Sequence, residues 1–288
     1  MQIAWLGTGL LGLPMAAKLQ QCGYAVMAWN RTATKTELLS SLGTKVAETP
    51  REAIDSADCI CLMLQDAGAI EEVLLQSDPA PDLERRTVIQ MGTIGPQESR
   101  GFAARIADRG GDYFEAPVLG SIPQAQSANL IVMAGATEEQ FRRWRSLLTC
   151  LGPEPVHVGP VGSAATLKLA LNQLIASLTV AFSVSLGMTR RAGIDVELFM
   201  GILRKSALFA PSFDKKLPRM LERHFGDPNF PTQHLLKDVR LIREAGGQLG
   251  LETASLDGVE RILERALELG HATSDYSALY DAVDPPDA

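Results

Sequence analysis

The rhythm of hydrophobic and polar positions changes about halfway along the chain. In the first half, short runs rich in β-branched and aromatic residues alternate with stretches of helical spacing. Strands are predicted over 2–6, 25–29, 59–64, 87–90, 112–115 and 130–134, with helices between them such as 11–21, 34–42 and 96–108. Thr49-Pro50-Arg51-Glu52 predicts a further helix start, with Thr49 as N-cap, Pro50 in the first position and Glu52 reaching back. Such alternation describes a parallel sheet covered by helices. Past Val158-Gly159-Pro160-Val161-Gly162 the strand pattern stops. One long helix is predicted over 163–191, closed by Arg190, Arg191 and Gly193, and Asp195 caps the next. Further helices are expected over 232–246, 253–269 and 275–282. The chain therefore divides into an α/β domain, 1–161, and an all-α domain, 162–288. The Pro/Asp-rich segment 76–86 predicts a surface loop, and the last few residues are expected to be disordered.

Charge and composition narrow the class. A formal net charge of -7 gives no electrostatic reason to expect nucleic acid or an anionic membrane as partner. The apolar stretch 167–188 approaches the ~20 residues that span a bilayer. It carries Lys168, Asn172, Gln173 and several Ser and Thr, which are costly in hydrocarbon, so a helix buried in protein is expected. Ile3-Ala4-Trp5-Leu6 is preceded by no charged leader, and a cytoplasmic protein is expected. Cys22, Cys59, Cys61 and Cys150 form no CxxC pair and lie at no metal-ligand spacing from a His, so reduced core thiols are expected.

Gly7-Thr8-Gly9-Leu10-Leu11-Gly12 follows an apolar strand and opens a helix, the context that gives a GxGxxG its meaning. Gly7 permits the tight turn, Gly9 lets the backbone approach a pyrophosphate, and Gly12 lets the helix pack on the strand. The N–H groups at the helix start would bind the phosphates. The first domain is thus expected to be a Rossmann-type dinucleotide-binding domain. An NAD site usually carries a carboxylate ~20 residues further on. Trp29-Asn30-Arg31-Thr32 has none there. Arg31 can pair with a 2′-phosphate while Asn30 and Thr32 donate hydrogen bonds, so NADP (as NADPH) is favoured over NAD. The alternative has Arg31 stacking on adenine or facing solvent.

Lys168 and Asn172 stand four apart and share one face of the long helix. A Lys in so apolar a helix needs a ligand, a partner or water to receive it. Snorkelling to solvent is the structural alternative. Several motifs, in order, resemble the β-hydroxyacid dehydrogenase family, which includes 3-hydroxyisobutyrate dehydrogenase and the glyoxylate/succinic semialdehyde reductases. The opening Gly7 to Ala16 resembles GxGxMGxPMA. Met91-Gly92-Thr93-Ile94 resembles DxSTI, Glu115-Ala116-Pro117-Val118-Leu119-Gly120-Ser121 resembles DAPVSGG, Gly162 to Asn172 resembles GxxxxxKxxxN, and Phe230 to Asp238 resembles FxxxxxxKD.

This resemblance implies a catalytic Lys168 assisted by Asn172. It places Thr93, Gly120, Ser121, Phe230 and Asp238 with a small carboxylate-bearing substrate, and Met63, Leu64, Thr93 and Lys237 with the cofactor. For Lys237 and Asp238 the alternative is a solvated pair on a helix. Two departures stand out: Leu119 occupies the place of a Ser, and Met91-Gly92 replaces Asp-x-Ser. Ser121 is the nearby hydroxyl that could compensate for Leu119. The expected activity is hydride transfer between NADPH and a small aldehyde, ketone or β-hydroxy acid. Imine reduction on the same fold and a non-catalytic nucleotide-sensing module are the alternatives; relatives of the imine-reducing kind generally replace the helix Lys. The apolar helix suggests a homodimer or homotetramer.

Overall fold

Alternate residues of the first strand enter two different cores. The computed structural model describes residues 1–76 and 80–286. Its strands are β1 (Gln2–Leu6), β2 (Ala25–Trp29), β3 (Lys45–Val46), β4 (Cys59–Leu62), β5 (Thr87–Gln90), β6 (Asp112–Glu115), β7 (Val118–Leu119), β8 (Ile131–Gly135) and β9 (Val156–Gly159). Interleaved with them run α1 (Gly12–Gln21), α2 (Glu37–Ser41), α3 (Pro50–Asp55), α4 (Ala67–Leu74), α5 (Pro96–Ala107), α6 (Ile122–Gln126) and α7 (Glu138–Thr149). Ile3 and Trp5 pack with Met15 and Leu19 of α1 on one face of the sheet. Ala4 and Leu6 pack with Ile54 and Ile70 on the other. Burial on both faces is what a parallel sheet between helix layers requires.

The strands lie in the order β3-β2-β1-β4-β5-β6-β8-β7, with β9 also on β8. Pairing is parallel from β3 to β6 and antiparallel between β6 and β8. After β3 the chain crosses back over β1 to form β4, so the carboxyl ends of β1 and β4 bound the crevice where such sheets bind ligands. The predicted strands are all present. Three short ones, β3, β7 and β9, were not expected, and the 34–42 helix is split into a 3₁₀ turn, Ala33–Thr36, followed by α2. Residues 77–79 of the expected 76–86 loop lie outside the described residues.

The second unit is helical: most of α8 (Ser163–Arg191), then α9 (Val196–Leu203), α10 (Pro211–Glu222), α11 (Thr232–Gln248), α12 (Ser255–Glu268) and α13 (Leu279–Val283). Compact units divide at 169/170, eight residues beyond the expected 161/162, because the first turns of α8 belong with the sheet. Phe182, Leu186, Met200, Phe213, Leu217, Met220 and Tyr280 form the helical core, with Phe182 and Phe213 stacked at 4.6 Å. Within it, Lys216 Nζ donates to both carboxylate oxygens of Asp275 at 2.7 and 2.9 Å. Among the described residues this unit holds no strand, only a Pro231–Asp275 bridge.

Three expectations need correction. Cys22, exposed at the end of α1, and Cys150, at the end of α7, are joined as a disulfide, with Cα atoms 6.3 Å apart; only Cys59 and Cys61 are buried free thiols. The pairing spans 128 residues and leaves no local spacing signal. Helix α8 is less buried than expected, since only 39% of its most apolar window is covered within the chain. Asp284, near the C-terminus, is ordered: it is buried, accepts from Tyr280 Oη at 2.8 Å and pairs with Arg191. Residues 287–288 lie outside the described residues.

Candidate active site

The glycine loop occupies the crevice between β1 and β4. Gly7 has φ +102°, and a Cβ there would overlap the Met63 carbonyl and lie 2.8 Å from its carbon. Leu64, the next residue, also borders Gly7. A Cβ on Gly12 would overlap the carbonyl oxygen of Gly7, whereas one on Gly9 meets nothing within 4 Å. Two of the three glycines thus serve packing, and the middle one leaves the backbone open to a close ligand. The loop is tied down by Trp5 Nε1 donating to Gly7 O at 2.9 Å and by the Gly7 N–H donating to Trp29 O at 2.9 Å. Leu10 is exposed on the loop, and Leu11 is the N-cap of α1.

This loop fits a dinucleotide phosphate. Helix α1 starts with no side-chain cap and no acidic residue in its first turn, so its N-terminal N–H groups and dipole favour an anion. Thr8 Oγ1 is buried with no hydrogen-bond partner, an orphan hydroxyl of the kind a phosphate oxygen satisfies.

Past β2, the Asn30 side chain is engaged within the protein. Its Oδ1 accepts the Thr8 N–H at 3.0 Å and its Nδ2 donates to Thr32 O at 3.0 Å, so it latches the glycine loop. Arg31 and Thr32 are exposed. Arg31 Nη1 stands 3.9 Å from Glu72 Oε2 on α4, both side chains being mostly solvent-accessible. Glu72 was not foreseen, since nothing local in the sequence ties it to Arg31.

At the end of β5, Gln90 clamps the turn that departs from the family pattern. Its Oε1 accepts the Gly92 N–H while its Nε2 donates to Gly92 O at 3.1 Å. A Cβ on Gly92 would come within 2.5 Å of Leu64 O, so no side chain fits where the motif usually carries one. Thr93 follows, half-buried. Strand β6 ends in Glu115, whose carboxylate is 1% exposed. Burial pushes this carboxyl up, against the pull of the Ser99 hydroxyl and the N–H groups at the start of α8. The loop then passes through β7 to exposed Gly120, at φ +142°, and Ser121. The Ser121 hydroxyl donates to Gln124 Oε1 at 2.6 Å, so it already serves the turn that starts α6.

Lys168 lies in the second turn of α8, half-buried, at the end of the first unit. In the second unit Asn172 and Asp238 are 2% and 1% exposed, and Asn172 Nδ2 donates to Asp238 Oδ2 at 2.6 Å. Lys237 Nζ is 2.9 Å from Asp238 Oδ1. The Asn172 Oδ1 is a buried acceptor without a hydrogen-bond partner. Phe230 packs edge-on to Tyr276 at 5.9 Å, at the entry to α11.

Residues 2–159 match the NAD binding domain of 6-phosphogluconate dehydrogenase, and residues 162–283 match the NAD-binding domain of NADP-dependent 3-hydroxyisobutyrate dehydrogenase. The chain belongs to the β-hydroxyacid dehydrogenase family. Glyoxylate/succinic semialdehyde reductase 1 of Arabidopsis thaliana is 30% identical over 98% of both chains. The 2-hydroxy-3-oxopropionate reductase of Escherichia coli is 30% identical over 99% of this chain and 97% of that protein. The 3-hydroxyisobutyrate dehydrogenase of Mycobacterium tuberculosis, solved with L-serine, shares the fold at a TM-score of 0.86 with 22% identity over 98% of both chains. These relatives are dehydrogenases and reductases acting on hydroxyl groups, and the first unit is a nicotinamide-nucleotide domain.

Proposed function

We propose that this β-hydroxyacid dehydrogenase is an NADPH-dependent reductase of a small carboxylate-bearing aldehyde or ketone. The observation that carries this reading is identity at 30% along the full chain with two reductases named for small carboxylate-bearing aldehydes. Cofactor choice follows from Arg31 and Thr32, exposed beside a loop that lacks the ribose-binding carboxylate of NAD sites.

When bound, the nicotinamide supplies a hydride to the carbonyl carbon. The chain's own residues manage the rest. As the C=O π pair moves onto oxygen, Lys168 donates a proton from its ammonium, giving the alcohol, and is reprotonated from solvent. In the oxidative direction neutral Lys168 removes that proton. Positioned proton transfer of this kind is worth roughly 10²–10⁴-fold. Asn172, held by Asp238, offers its unpaired Oδ1 to the reacting hydroxyl or the ammonium. Thr93, Gly120 and Ser121 hold the substrate carboxylate, Ser121 by turning its hydroxyl away from Gln124. Lys237 sits with the cofactor, and Phe230 and Asp238 with the substrate.

The test is oxidation of NADPH and NADH with glyoxylate, succinic semialdehyde, methylmalonate semialdehyde, 2-hydroxy-3-oxopropionate and a neutral aldehyde. NADPH-selective turnover of an acid substrate is expected. Preference for the neutral aldehyde would sink the carboxylate reading. Lys168→Ala should abolish turnover and spare NADPH binding; retention of more than about a tenth of the rate would remove Lys168 from its role.

We further propose that a second copy of the chain covers α8. Leu174, Leu178, Ala181, Val184 and Met188 recur at helical spacing along its exposed side, an apolar stripe longer than scattered surface residues explain. Light scattering should give a dimer or tetramer; a monomer at working concentration would end that proposal.

A further inference from the structure

Glu115 has an environment that a strand end does not need. A carboxylate closing a buried parallel strand is costly unless it is fully hydrogen-bonded. Here Oε1 accepts the N–H groups of Gly162 and Ala165, each at 2.9 Å. Oε2 accepts from the Ser99 hydroxyl on α5, itself 2.8 Å from Tyr113 Oη. On the neighbouring strand the residue paired with Glu115 is Gly135, and a Cβ there would lie 2.7 Å from Glu115 Cγ. Strands β6 and β8 and helices α5 and α8 are thus built around one side chain.

The two ends of this arrangement are chemically distinct. On one side Glu115 is followed directly by Ala116-Pro117-Val118-Leu119-Gly120-Ser121, the loop assigned to the substrate carboxylate. On the other it holds the first turn of α8, and Lys168 follows Ala165 by three residues, hence on nearly the same helix face. An ordinary Ser or Thr N-cap would satisfy the helix end alone. A carboxylate reaching from the substrate strand instead fixes where the helix starts and how it is rotated.

We propose that Glu115 is a positioning residue: it sets the axial rotation and height of the first turns of α8, and so places the Lys168 ammonium relative to the substrate loop. This rests on the reading of Lys168 as proton donor. Nothing in the chemistry passes through Glu115 itself.

The test compares Glu115→Asp, Glu115→Gln and Gly135→Ala with Lys168→Ala, using the full-length enzyme and its best aldehyde. Aspartate retracts the acceptor by one methylene, a shift of an ångström or more, which is expected to lower kcat about 10²-fold. The Kd for NADPH and the KM should stay within about threefold of wild type, and thermal melts should report folded protein. Glutamine keeps the length and one acceptor oxygen, and should restore kcat to within about tenfold of wild type. Gly135→Ala pushes the carboxylate aside and should resemble Glu115→Asp. Combined with Lys168→Ala, Glu115→Asp should cost nothing more in single-turnover rate, because the group it places is gone.

Equal losses in both backgrounds would reveal a merely structural residue and overturn the proposal. So would a kcat within about threefold of wild type in both Glu115→Asp and Gly135→Ala. Should Glu115→Asp not fold, Gly135→Ala alone and in the Lys168→Ala background decides by the same ratios. If Lys168→Ala itself stays active, the proton-donor reading falls and this proposal falls with it. An inactive Lys168→Ala beside fully active Glu115 and Gly135 variants removes this proposal alone.

Discussion

Replacing Arg31 by Ala tests whether the exposed guanidinium selects the cofactor. Arg31 Nη1 lies 3.9 Å from Glu72 Oε2, with 77% and 67% of the two side chains accessible. Two unit charges at that distance in water attract by ~1 kcal/mol. Exposed pairs measure roughly 0.2–1 kcal/mol once side-chain entropy is counted. Glu72 therefore holds Arg31 weakly, and a 2′-phosphate with nearly two charges can displace it. A hydrogen bond to a charged partner contributes about 1.5–3 kcal/mol. At 1.4 kcal/mol per factor of ten, Arg31→Ala should weaken NADPH binding roughly 10–150-fold. NADH has no phosphate at that position, so its affinity should move by less than about threefold.

Glu72→Gln should act in the opposite direction. It frees Arg31 and removes a carboxylate that repels the phosphate, tightening NADPH by about two- to fivefold, as expected for an exposed pair. Both shifts should shrink in 0.5 M salt, where the screening length falls to about 4 Å. The assay is a fluorescence titration of each variant with each cofactor at low and high salt. An Arg31→Ala variant whose NADPH-to-NADH affinity ratio stays within about threefold of wild type would refute the argument. Selectivity would then have to come from the loop itself.

Gly12→Ala drives a methyl into the Gly7 carbonyl, a backbone clash that no rotamer relieves, so stability should drop by about 1–3 kcal/mol and NADPH binding should be lost; unchanged binding by titration would contradict the packing role. Lys216→Met orphans Asp275, whose carboxyl burial alone would raise but which Lys216 and Ser277 hold below the usual range. In the wild type the pair's contribution is present in full above the unfolded pKa near 4 and is lost only below it, whereas in the variant the orphaned, buried carboxyl takes up a proton above that pH, so the deficit of about 3–5 kcal/mol at pH 7 should narrow by pH 4; urea melts at pH 7 and pH 4 showing equal deficits would count against it. Reducing Cys22–Cys150 opens a loop spanning 128 residues, for which chain entropy sets an upper bound of roughly 5 kcal/mol. Denatured but unreduced protein should alkylate only at Cys59 and Cys61, and labelling of all four would dismiss the pairing.

What could be read from the sequence shares a physical property. The glycine turn and the capped starts at Thr49 and Asp195 are set mainly by residues close together in the chain. Thr49 accepts from Glu52 N and Asp195 from Glu197 N, two or three residues away. Strands β1, β2, β4, β5 and β6 follow almost as directly, because each carries enough apolar residues of its own to show as a strand, whereas the exposed two-residue β3 does not. By contrast β7 and β9 are two and four residues long and exist through pairing with β8, which no local pattern announces. Cys22 and Cys150 meet only because α1 and α7 end side by side.

The candidate site divides the same way. Lys168, Asn172, Thr93 and the Gly120 turn were visible because each carries its own residue type in its own motif. Glu115, Gly135 and Glu72 act through partners about 20 to 50 residues away. A Glu at the end of β6 read on its own is one motif letter; only the fold shows it gripping the start of α8 while Gly135 stands clear. The residues that hold a site in place are therefore the ones a linear reading loses. In this chain they sit where the family pattern is altered: Gly92 has no room for a side chain against Leu64, and Glu115 stands where the usual motif has the shorter Asp. The longer carboxylate can reach the helix that carries Lys168. Whether a site built this way tolerates Leu119 is then a question about where Lys168 stands as much as about the missing hydroxyl.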